Sequence, residues 1–454
     1  MSDRTSTPIF GTDGIRGRAL EGWLAPAAVE ALGHAAGQVL AAGGGRALIA
    51  HDGRASAAAL EAALARGFAR AGLTPESAGL LPTPGLAWLT ASDGVAVGAM
   101  ISASHNPAHD NGIKLFAGAG AKLDDEQQDR IEALLRKAEI AGPAEGPGGA
   151  PEVVEAHESA YAGHLVDLAL SGDSLDLSGK RVVIDCANGA ASRVGPRVLR
   201  AIGAEVDVIH AAPDGMNIND GCGSTSTESL QARVTETGAL FGVALDGDAD
   251  RCLLVDESGA LVDGDAIMTI LARDRAARGV MEDRRIVATV MSNRGLHRAL
   301  APEGISVVEV GVGDRQVVEG LKAHGLELGG EKSGHIIFGA DSGFIGDGLL
   351  TALNVLAVCA RTGSPLSELS APFQPFPQVL LGLEVAAKPP LETLERFQEM
   401  RSRFEEELGD DGRVNVRYSG TEPKARVMVE GRDEARIGAM ADDLVKTLLD
   451  EISG

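Results

Sequence analysis

Residues 240–256 have the sequence LFGVALDGDADRCLLVD, in which an apolar run is followed at once by three alternating aspartates. A short run such as LFGVAL, bounded by polar residues, is typical of a strand buried in a parallel sheet. In such sheets the loops at the carboxyl ends of the strands carry the functional side chains. The stretch therefore predicts a strand of an α/β sheet with a functional loop at its end.

The alternation of apolar runs with helical stretches continues through most of the chain. Helices are predicted at 25–42, 55–71 and 225–238, the last opening with a Thr-Ser-Thr-Glu capping box. Strands that alternate with helices indicate α/β domains with mixed, mostly parallel sheets. The predicted strands are 47–50, 95–101, 181–186, 240–245, 285–291 and 305–310.

Changes of composition suggest where domains end. Residues 141–151 (AGPAEGPGGAP) and 365–378 (PLSELSAPFQPFPQ) are predicted linkers, and a hairpin-like pair at 252–264 closes a second unit. The tail after 378 has a different, α+β order of strand, helix, strand pair and helix. We therefore expect four domains, at 1–150, 151–257, 258–370 and 371–454.

The composition limits the partners and the compartment. The formal net charge of −24 repels nucleic acid and anionic membranes, so neither is an expected partner. No apolar run approaches the roughly 20 residues of a membrane span, and the N-terminus lacks the features of a secretory signal. Four scattered cysteines fit a reducing cytoplasm, where we expect the protein to reside. An anionic substrate must then be bound by a local cluster of Arg and Lys.

The alternating aspartates Asp246, Asp248 and Asp250 predict a metal site, because carboxylates this close repel one another unless a cation offsets them. Their hard oxygen ligands favour Mg²⁺ or Ca²⁺. Glu257 falls at the twelfth position of an EF-hand calcium loop, but Arg251 occupies the sixth position, where that loop needs glycine. A magnesium site open to a phosphate is favoured over a calcium loop and over a metal-free turn, with Arg251 beside it to hold further negative charge.

Four other polar loops contain candidate functional residues. FGTDGIRG (10–17) offers Arg16 to a phosphate, and ISASHNPAHDNGIKLF (101–116) presents a serine with a histidine beside it and a lysine close by. LGGEKSGHIIF (328–338) offers groups that bind sugar hydroxyls and a histidine for proton transfer. VNVRYSGTEPKARVMVEG (414–431) is a dense set of donors suited to a phosphate monoester. The candidates are Ser104, His105 and Lys114 in the second loop, Glu331, Ser333 and His335 in the third, and Arg417, Ser419, Gly420, Thr421 and Arg426 in the fourth.

The phrases FGTDGIRG, ISASHNP, DGDADR, GE-x-SGH and R-x-SGTEP, in this order along the whole chain, resemble the α-D-phosphohexomutase superfamily. The resemblance implies three related α/β units and a smaller α+β C-terminal domain around a central cleft. It also implies that Ser104 is a phosphoserine whose phosphate joins Asp246, Asp248 and Asp250 as ligands of one Mg²⁺ per chain. The remaining implied roles are catalysis by Arg16, His105, Lys114 and His335, and substrate binding by Arg251, Glu331, Ser333, Arg417, Ser419, Gly420, Thr421 and Arg426.

The activity implied by this resemblance is the interconversion of glucosamine 6-phosphate and glucosamine 1-phosphate through a hexose 1,6-bisphosphate. That reaction supplies nucleotide-linked aminosugars for bacterial cell-wall precursors. The partner is then a small phosphosugar, and the resemblance suggests a homodimer. Alternatives are a phosphomannomutase or phosphoglucomutase of the same superfamily, a calcium-binding module and a simple phosphatase.

Overall fold

The computed structural model describes residues 8–11, 13–138, 150–171, 175–419 and 423–453, so most of the predicted linker at 141–151 lies outside the described residues. The chain forms two compact units. The large unit comprises Met1–Met291 and Ile305–Ala371, and the small unit comprises Ser292–Gly304 and Pro372–Gly454. Within the described ranges, no helix combines the length and apolar character needed to cross a membrane.

The first sheet of the large unit has the strand order β1-β5-β4-β2-β3, with β2, β3 and β4 parallel and β5 antiparallel to both neighbours. The parallel strands β2 and β4 are largely apolar and buried, as expected for a sheet covered by helices. The strands are β1 (Ile15–Arg18), β2 (Gly45–His51), β3 (Leu73–Leu80), β4 (Val97–Ile101) and β5 (Asp110–Ala117), and the helices are α1 (Pro26–Leu40), α2 (Ala57–Arg70), α3 (Thr83–Ser92) and α4 (Asp125–Lys137).

The second sheet has the order β10-β9-β8-β6-β7, with β7, β6 and β8 parallel and the β9–β10 hairpin antiparallel at the edge. Every residue of β8 is buried, so the strand prediction for the opening stretch is confirmed. The elements are α5 (Ala156–Ser171), β6 (Arg181–Asp185), α6 (Val194–Ala201), β7 (Glu205–Ile209), α7 (Glu228–Thr237), β8 (Phe241–Leu245), β9 (Cys252–Val255) and β10 (Leu261–Val262).

The third sheet has the order β12-β11-β13-β14, in which β11 pairs in parallel with both β12 and β13. One helix that follows β11 in the chain, within Ser292–Gly304, groups with the small unit instead. The elements are α8 (Gly264–Ala277), β11 (Arg285–Thr289), α9 (Arg294–Leu300), β12 (Ser306–Val310), α10 (Asp314–His324), β13 (Gly329–Gly330), β14 (Ile336–Ile337), α11 (Gly348–Thr362) and α12 (Leu366–Ser370).

The small unit has one antiparallel sheet of order β15-β17-β16 with two helices packed on an apolar core that includes Phe397, Phe404, Val427 and Leu444. The α+β order predicted for the tail is therefore confirmed. The elements are β15 (Gln378–Glu384), α13 (Glu395–Leu408), β16 (Arg413–Tyr418), β17 (Lys424–Glu430) and α14 (Glu434–Ser453).

The α/β fold class is confirmed, while two local predictions are corrected. The capping box at 225–228 is wrong, because Thr227 precedes α7 without a side-chain cap bond and Ser226 Oγ donates to Glu228 Oε2 at 2.7 Å instead. The loop predicted at 101–116 is too long, because Asp110–Ala117 form β5, whose alternating side chains are buried on both faces of the sheet. The four domain ranges stay a prediction, although β10 extends the second sheet beyond residue 257.

Candidate active site

The three aspartates of the opening stretch lie together in the loop that follows β8. One carboxylate oxygen from each of Asp246, Asp248 and Asp250 lies within 4.8 Å of the others, and all three residues are buried. Oδ1 of Asp248 and Oδ1 of Asp250 are buried without a hydrogen-bond partner among the described residues. Ala249, between Asp248 and Asp250, has a φ of 56°, in the left-handed region typical of tight turns. Unpartnered buried oxygens of this kind fit a hard divalent cation.

The electrostatics of the cluster also fit a cation. Burial, together with Asp250 and Asp248, raises the pKa of Asp246 to about 8, because one more negative charge in this space is strongly unfavourable. Burial acts the same way on Asp250, but Lys114 and His335 hold the pKa of Asp250 well below its usual range. A further negative charge on Asp246 is therefore unfavourable in this space, and a divalent ion would offset it.

Ser104 lies directly against this cluster. Its Oγ donates to Asp246 Oδ2 at 2.6 Å, although the two residues are 142 positions apart and belong to different sheets. The serine is buried and has a φ of 53°, in the left-handed region that non-glycine residues rarely adopt. His105 Nδ1 lies 3.4 Å from the same Oγ. The sequence prediction that Ser104 and the aspartates form one site is thus matched by their positions.

Lys114 projects from β5 into the middle of the cluster. Its Nζ donates to Asp248 Oδ2 at 2.8 Å and to Asp250 Oδ2 at 3.1 Å, and it lies 2.8 Å from Asp13 Oδ2. Burial opposes the charge on this amine, but the three carboxylates raise the pKa of Lys114 well above its usual value. Lys114 is therefore charged, and it balances part of the aspartate charge through the Oδ2 atoms of Asp248 and Asp250.

Sequence reasoning missed several residues that surround the cluster. Asp13 Oδ1 accepts from Lys122 Nζ at 2.6 Å, and Lys122 also pairs with Asp314 at the start of α10. Thr83 Oγ1 donates to Asp248 Oδ2 at 2.5 Å, and its backbone N–H donates to the Asp248 carbonyl at 3.0 Å. Asp13 stands inside the quoted FGTDGIRG loop and was available as a signal, whereas Lys122 and Thr83 belong to no quoted motif.

The two remaining basic candidates of the first sheet differ in exposure. Arg16 is exposed on β1, and its guanidinium donates to Asp13 Oδ2 at 2.7 Å. Burial, with Arg251 and Arg16 nearby, lowers the pKa of His105 to about 4, so its imidazole is neutral at pH 7. A neutral imidazole next to Ser104 Oγ can accept a proton, whereas Arg16 can only supply positive charge.

The third predicted loop lies in the β13–β14 hairpin of the same unit. His335 Nδ1 lies 3.5 Å from Asp250 Oδ1, and, although burial acts the other way, that carboxylate raises the pKa of His335. Glu331 Oε1 accepts from the backbone N–H of Gly313 at 3.1 Å, and Ser333 Oγ is buried with no hydrogen-bond partner among the described residues. Arg251 donates its backbone N–H to Asp246 Oδ1 at 3.2 Å. These positions join the hairpin to the aspartate cluster.

The fourth predicted loop belongs to the small unit. Arg417 on β16 and Arg426 on β17 face each other across the antiparallel pair. Burial and the Arg426 charge lower the pKa of Arg417, and no carboxylate pairs with either guanidinium in the part of the chain that the structure describes. Lys388 Nζ, also missed from sequence, donates to the carbonyl of Ser419 at 2.5 Å. The predicted residues Gly420 and Thr421 lie outside the described residues.

The calcium-loop alternative does not fit the structure. The aspartate loop is flanked by strands β8 and β9, whereas an EF-hand loop is flanked by helices. Glu257, which would supply the bidentate ligand, instead accepts hydrogen bonds from Ser367.

A second cluster of possible metal ligands consists of Asp185, His210 and Cys222. Its carboxylate is already bonded within the protein, because Asp185 accepts the N–H groups of Ala187 and Gly223 at 2.9 Å each.

Comparison with known proteins gives a consistent result over the whole chain. Sequence models of the phosphoglucomutase/phosphomannomutase family match it in four parts: alpha/beta/alpha domain I at residues 7–141, domain II at 159–259, domain III at 263–376 and the C-terminal domain at 380–447. These four matches follow one another in chain order and include every predicted loop.

Individual relatives are similar over nearly their full length. A phosphoglucosamine mutase of Rhodococcus jostii is 48% identical over 445 residues, covering 97% of this chain and 99% of that protein. A phosphoglucosamine mutase of Symbiobacterium thermophilum is 47% identical over 455 residues, covering 98% and 99%. A crystal structure of a phosphoglucomutase/phosphomannomutase family protein from Burkholderia thailandensis has a TM-score of 0.79 at 26% identity, covering 98% of both chains.

Proposed function

The chain belongs to the phosphoglucomutase/phosphomannomutase family, and from that premise we propose that it interconverts glucosamine 6-phosphate and glucosamine 1-phosphate. The relatives named phosphoglucosamine mutase, at 46–48% identity, support the aminosugar as substrate. The observation that carries a phosphoryl-transfer function is the placement of the Ser104 hydroxyl 2.6 Å from Asp246 Oδ2 in a buried cluster of three aspartates.

Asp246, Asp248 and Asp250, with an oxygen of a phosphate on Ser104, would hold one Mg²⁺. The fit rests on Asp248 Oδ1, which is buried without a hydrogen-bond partner among the described residues, and on Asp250 Oδ1, which His335 Nδ1 approaches to 3.5 Å. When bound, such an ion supplies neutralisation of the charge on the transferring phosphoryl group. Lys114 supplies a further fixed positive charge beside the aspartates.

The forward step moves a phosphoryl group from Ser104 to the sugar. The bond between phosphorus and Ser104 Oγ breaks, a bond between phosphorus and the sugar O1 forms, and the proton of the O1 hydroxyl passes in net to Ser104 Oγ. His105, neutral and 3.4 Å from Oγ, is the candidate to accept and return that proton. Lys114 and Arg16 balance charge, and His335, held near Asp250, is a second candidate for proton transfer. The product of this step is a hexose 1,6-bisphosphate.

The second step returns the other phosphate to Ser104 after the bisphosphate has reversed its orientation. A reaction with two substrate orientations needs a binding group for whichever phosphate is not reacting. Arg417, Ser419 and Arg426 fit that task, with Gly420 and Thr421, because two unpaired guanidinium groups next to a hydroxyl suit a phosphate dianion. Glu331 Oε1 accepts a single backbone N–H, and Ser333 Oγ has no hydrogen-bond partner among the described residues, so both side chains can bind sugar hydroxyls. Arg251 supplies positive charge close to Glu331.

The test compares three substrates and two variants. Purified protein with Mg²⁺ and a trace of hexose 1,6-bisphosphate is given glucosamine, glucose or mannose 6-phosphate, and the 1-phosphate is followed by ³¹P NMR. We expect the fastest conversion with glucosamine 6-phosphate, and a loss of at least about 10³-fold in Ser104→Ala, which lacks the nucleophile. Ser92→Ala, an exposed helical serine, is the matched control and should retain activity.

The other outcomes identify the alternatives. Faster conversion of glucose or mannose 6-phosphate would make the chain a phosphoglucomutase or phosphomannomutase. Release of inorganic phosphate without isomer would make it a phosphatase. Normal turnover by Ser104→Ala would remove Ser104 from the reaction, and intact-protein mass before and after phosphatase treatment shows independently whether that residue carries phosphate.

A further inference from the structure

The backbone at Ser104 is held in a conformation that the residue does not favour. A φ of 53° lies in the left-handed region, which a residue with a side chain adopts less readily than the right-handed region. Such a conformation persists only where surrounding contacts fix it. The contacts made by the backbone of residues 102–107, here called the serine loop, therefore determine where Ser104 Oγ lies.

Arg54 is the largest of these contacts. Its side chain is fully buried, and all of its N–H donors are used, four of them on carbonyls of the serine loop and the start of β5. None of these bonds goes to a side chain of the aspartate cluster. The bonds are Nε to Asp52 Oδ2 at 2.9 Å, Nη1 to the carbonyls of Pro107 at 2.5 Å and Asp110 at 3.0 Å, and Nη2 to the carbonyls of Ser104 and Asn106 at 2.9 Å each.

Asp52 and Ser102 complete a closed ring with Arg54. Ser102 Oγ donates to Asp52 Oδ2 at 2.7 Å and accepts the backbone N–H of Ser104 at 2.8 Å. Both the N–H and the carbonyl of Ser104 are thereby tied to the same Asp52–Arg54 ion pair. The whole ring lies within the first sheet and would fix the serine loop without any other sheet.

Asn219 adds a contact from the second sheet. Its Nδ2 donates to the carbonyl of Ser104 at 2.9 Å and to that of Asn106 at 3.2 Å, which are the two carbonyls that Arg54 Nη2 binds. Carbonyls only accept hydrogen bonds, so the amide must present its NH₂ group here. The aspartate loop lies against the same atoms, since a Cβ on Gly247 would stand 2.6 Å from the Ser104 carbonyl and 2.9 Å from Asn219 Nδ2.

We propose that Arg54 and Asn219 are positioning residues of the phosphoryl transfer, with Asn219 setting the separation between Ser104 Oγ and the aspartate cluster. The inference rests on the proposed function. Arg54 orders the serine loop from its own sheet, and Asn219 binds the same two carbonyls from the sheet that carries Asp246. Neither residue contacts the groups proposed to bind the sugar or its second phosphate. Their loss should therefore slow the chemical step and leave substrate affinity unchanged.

The decisive variant is Asn219→Gly. Asn219 has a φ of 57°, which glycine adopts without strain, so this change removes the two donors and leaves the backbone free to keep its course. We expect kcat to fall about tenfold to a hundredfold, the effect of a displacement of about 1 Å between reacting groups, with KM for glucosamine 6-phosphate within about twofold of wild type. Arg54→Lys, which keeps the charge and loses most of the donors, should have the same signature with a larger fall.

The control is Asn217→Ala, in the same loop, where the Asn217 side chain bonds residues 212 and 214. It should leave kcat unchanged. The rate at which glucose 1,6-bisphosphate phosphorylates Ser104, followed by intact mass, is a second readout and should fall in parallel with kcat. Should Arg54→Lys fail to fold, the Asn219→Gly result alone decides.

The proposal is overturned by a folded Asn219→Gly variant with wild-type kcat and wild-type phosphorylation rate, or by one whose defect lies in KM. Equal losses in Asn219→Gly and Asn217→Ala would overturn it as well, because they would reflect general loosening of the loop. Wild-type protein that converts none of the three sugar phosphates rejects the proposed function instead. Wild-type activity measured in the same series separates the two failures.

Discussion

The loop after β8 and the loop between β16 and β17 both gather charged side chains, but they balance those charges differently. In the large unit, Asp246, Asp248 and Asp250 are buried and closely bonded to neighbours, and Asp248 Oδ1 has no hydrogen-bond partner among the described residues. In the small unit, Arg417 is half-buried, Arg426 is exposed, and neither has an acidic partner among the described residues. One loop has excess negative charge and the other has excess positive charge.

The difference indicates what each loop binds and how costly its assembly is. Buried carboxylates without a cation destabilise the fold, so the aspartate loop must be held by Lys114, Thr83 and the surrounding sheet until an ion arrives. Water screens the repulsion between two partly solvated arginines, so this loop is stable without a bound anion. A loss in the first loop should therefore affect catalysis and stability, and a loss in the second should affect binding alone.

The largest expected effect is on the aspartate loop itself. Asp248→Asn keeps the shape of the side chain but removes its negative charge. Mg²⁺ binding measured by calorimetry should therefore be lost or greatly weakened. We expect kcat to fall at least about 10³-fold, because charge neutralisation by the ion is the main catalytic term of phosphoryl transfer. Asp207→Asn, on β7 of the same sheet and paired with Arg233 on the surface, is the matched control. Full Mg²⁺ affinity in Asp248→Asn would move the metal site elsewhere.

A second prediction concerns stability without metal. The pKa of Asp246 is raised to about 8, far above its value of about 3.9 in an unfolded chain, so the folded state binds that proton more tightly. The stability contributed by the protonated carboxyl is complete below pH 4 and is lost as pH rises through 8. We expect the free energy of unfolding of metal-free protein, relative to Asp246→Asn, to fall on the order of 3 kcal/mol between pH 5 and 8.

The measurement is urea unfolding in EDTA at several pH values for wild type and Asp246→Asn. Saturating Mg²⁺ should restore the wild-type stability at pH 8, since an ion that binds only the folded state stabilises it. Parallel curves for the two proteins in EDTA would show that the aspartates are not under electrostatic strain, and the contrast between the two loops would then disappear.

The third prediction addresses the arginine pair. Arg417→Ala should raise KM for the sugar phosphate about 10- to 100-fold, the loss of one charged bond to a phosphate, with kcat within a few fold of wild type. Stability should not fall, because removing one of two adjacent like charges relieves repulsion. Arg432→Ala, an exposed arginine of the same unit paired with Asp411, is the control. An unchanged KM in Arg417→Ala would place phosphate binding in another loop.

Sequence patterns predicted the fold class and the aspartate cluster, but not the residues whose contacts support that cluster. Strand β8 and the aspartates were predictable because an apolar run that leads into alternating carboxylates is typical of a buried strand followed by a cation-binding loop. Strand β3 was not, since Pro75 and Gly79 in LTPESAGL argue against a strand that tertiary pairing with β2 nevertheless forms. Local pattern is overridden wherever a neighbouring strand supplies the missing interactions.

The same limit applies to the site. Thr83, Arg54 and Asn219 contact the cluster or the serine loop from parts of the chain distant in sequence, and Lys122 contacts Asp13 beside the cluster. No local sequence pattern tells which carboxylate or carbonyl a threonine at the start of a helix, or a buried arginine, will contact. For Thr83 and Asn219, the contact exists only because the first sheet packs against the second.

The smallest predicted effect isolates one of those contacts. Thr83→Val keeps the volume of the side chain and the backbone bond to Asp248 but removes the hydroxyl that donates to Asp248 Oδ2 at 2.5 Å. The carboxylate then keeps only Lys114 at that oxygen, so its orientation toward an ion is less fixed. We expect the Mg²⁺ dissociation constant to rise about 3- to 10-fold, the effect of losing one hydrogen bond to a charged group. The kcat at saturating Mg²⁺ should stay within about threefold of wild type.

The control is Thr90→Val, at another buried threonine of α3, whose hydroxyl donates to the Leu86 carbonyl; this change should leave Mg²⁺ affinity unchanged. If both variants weaken Mg²⁺ binding equally, α3 supports the aspartate loop through packing and Thr83 has no specific part in orienting Asp248.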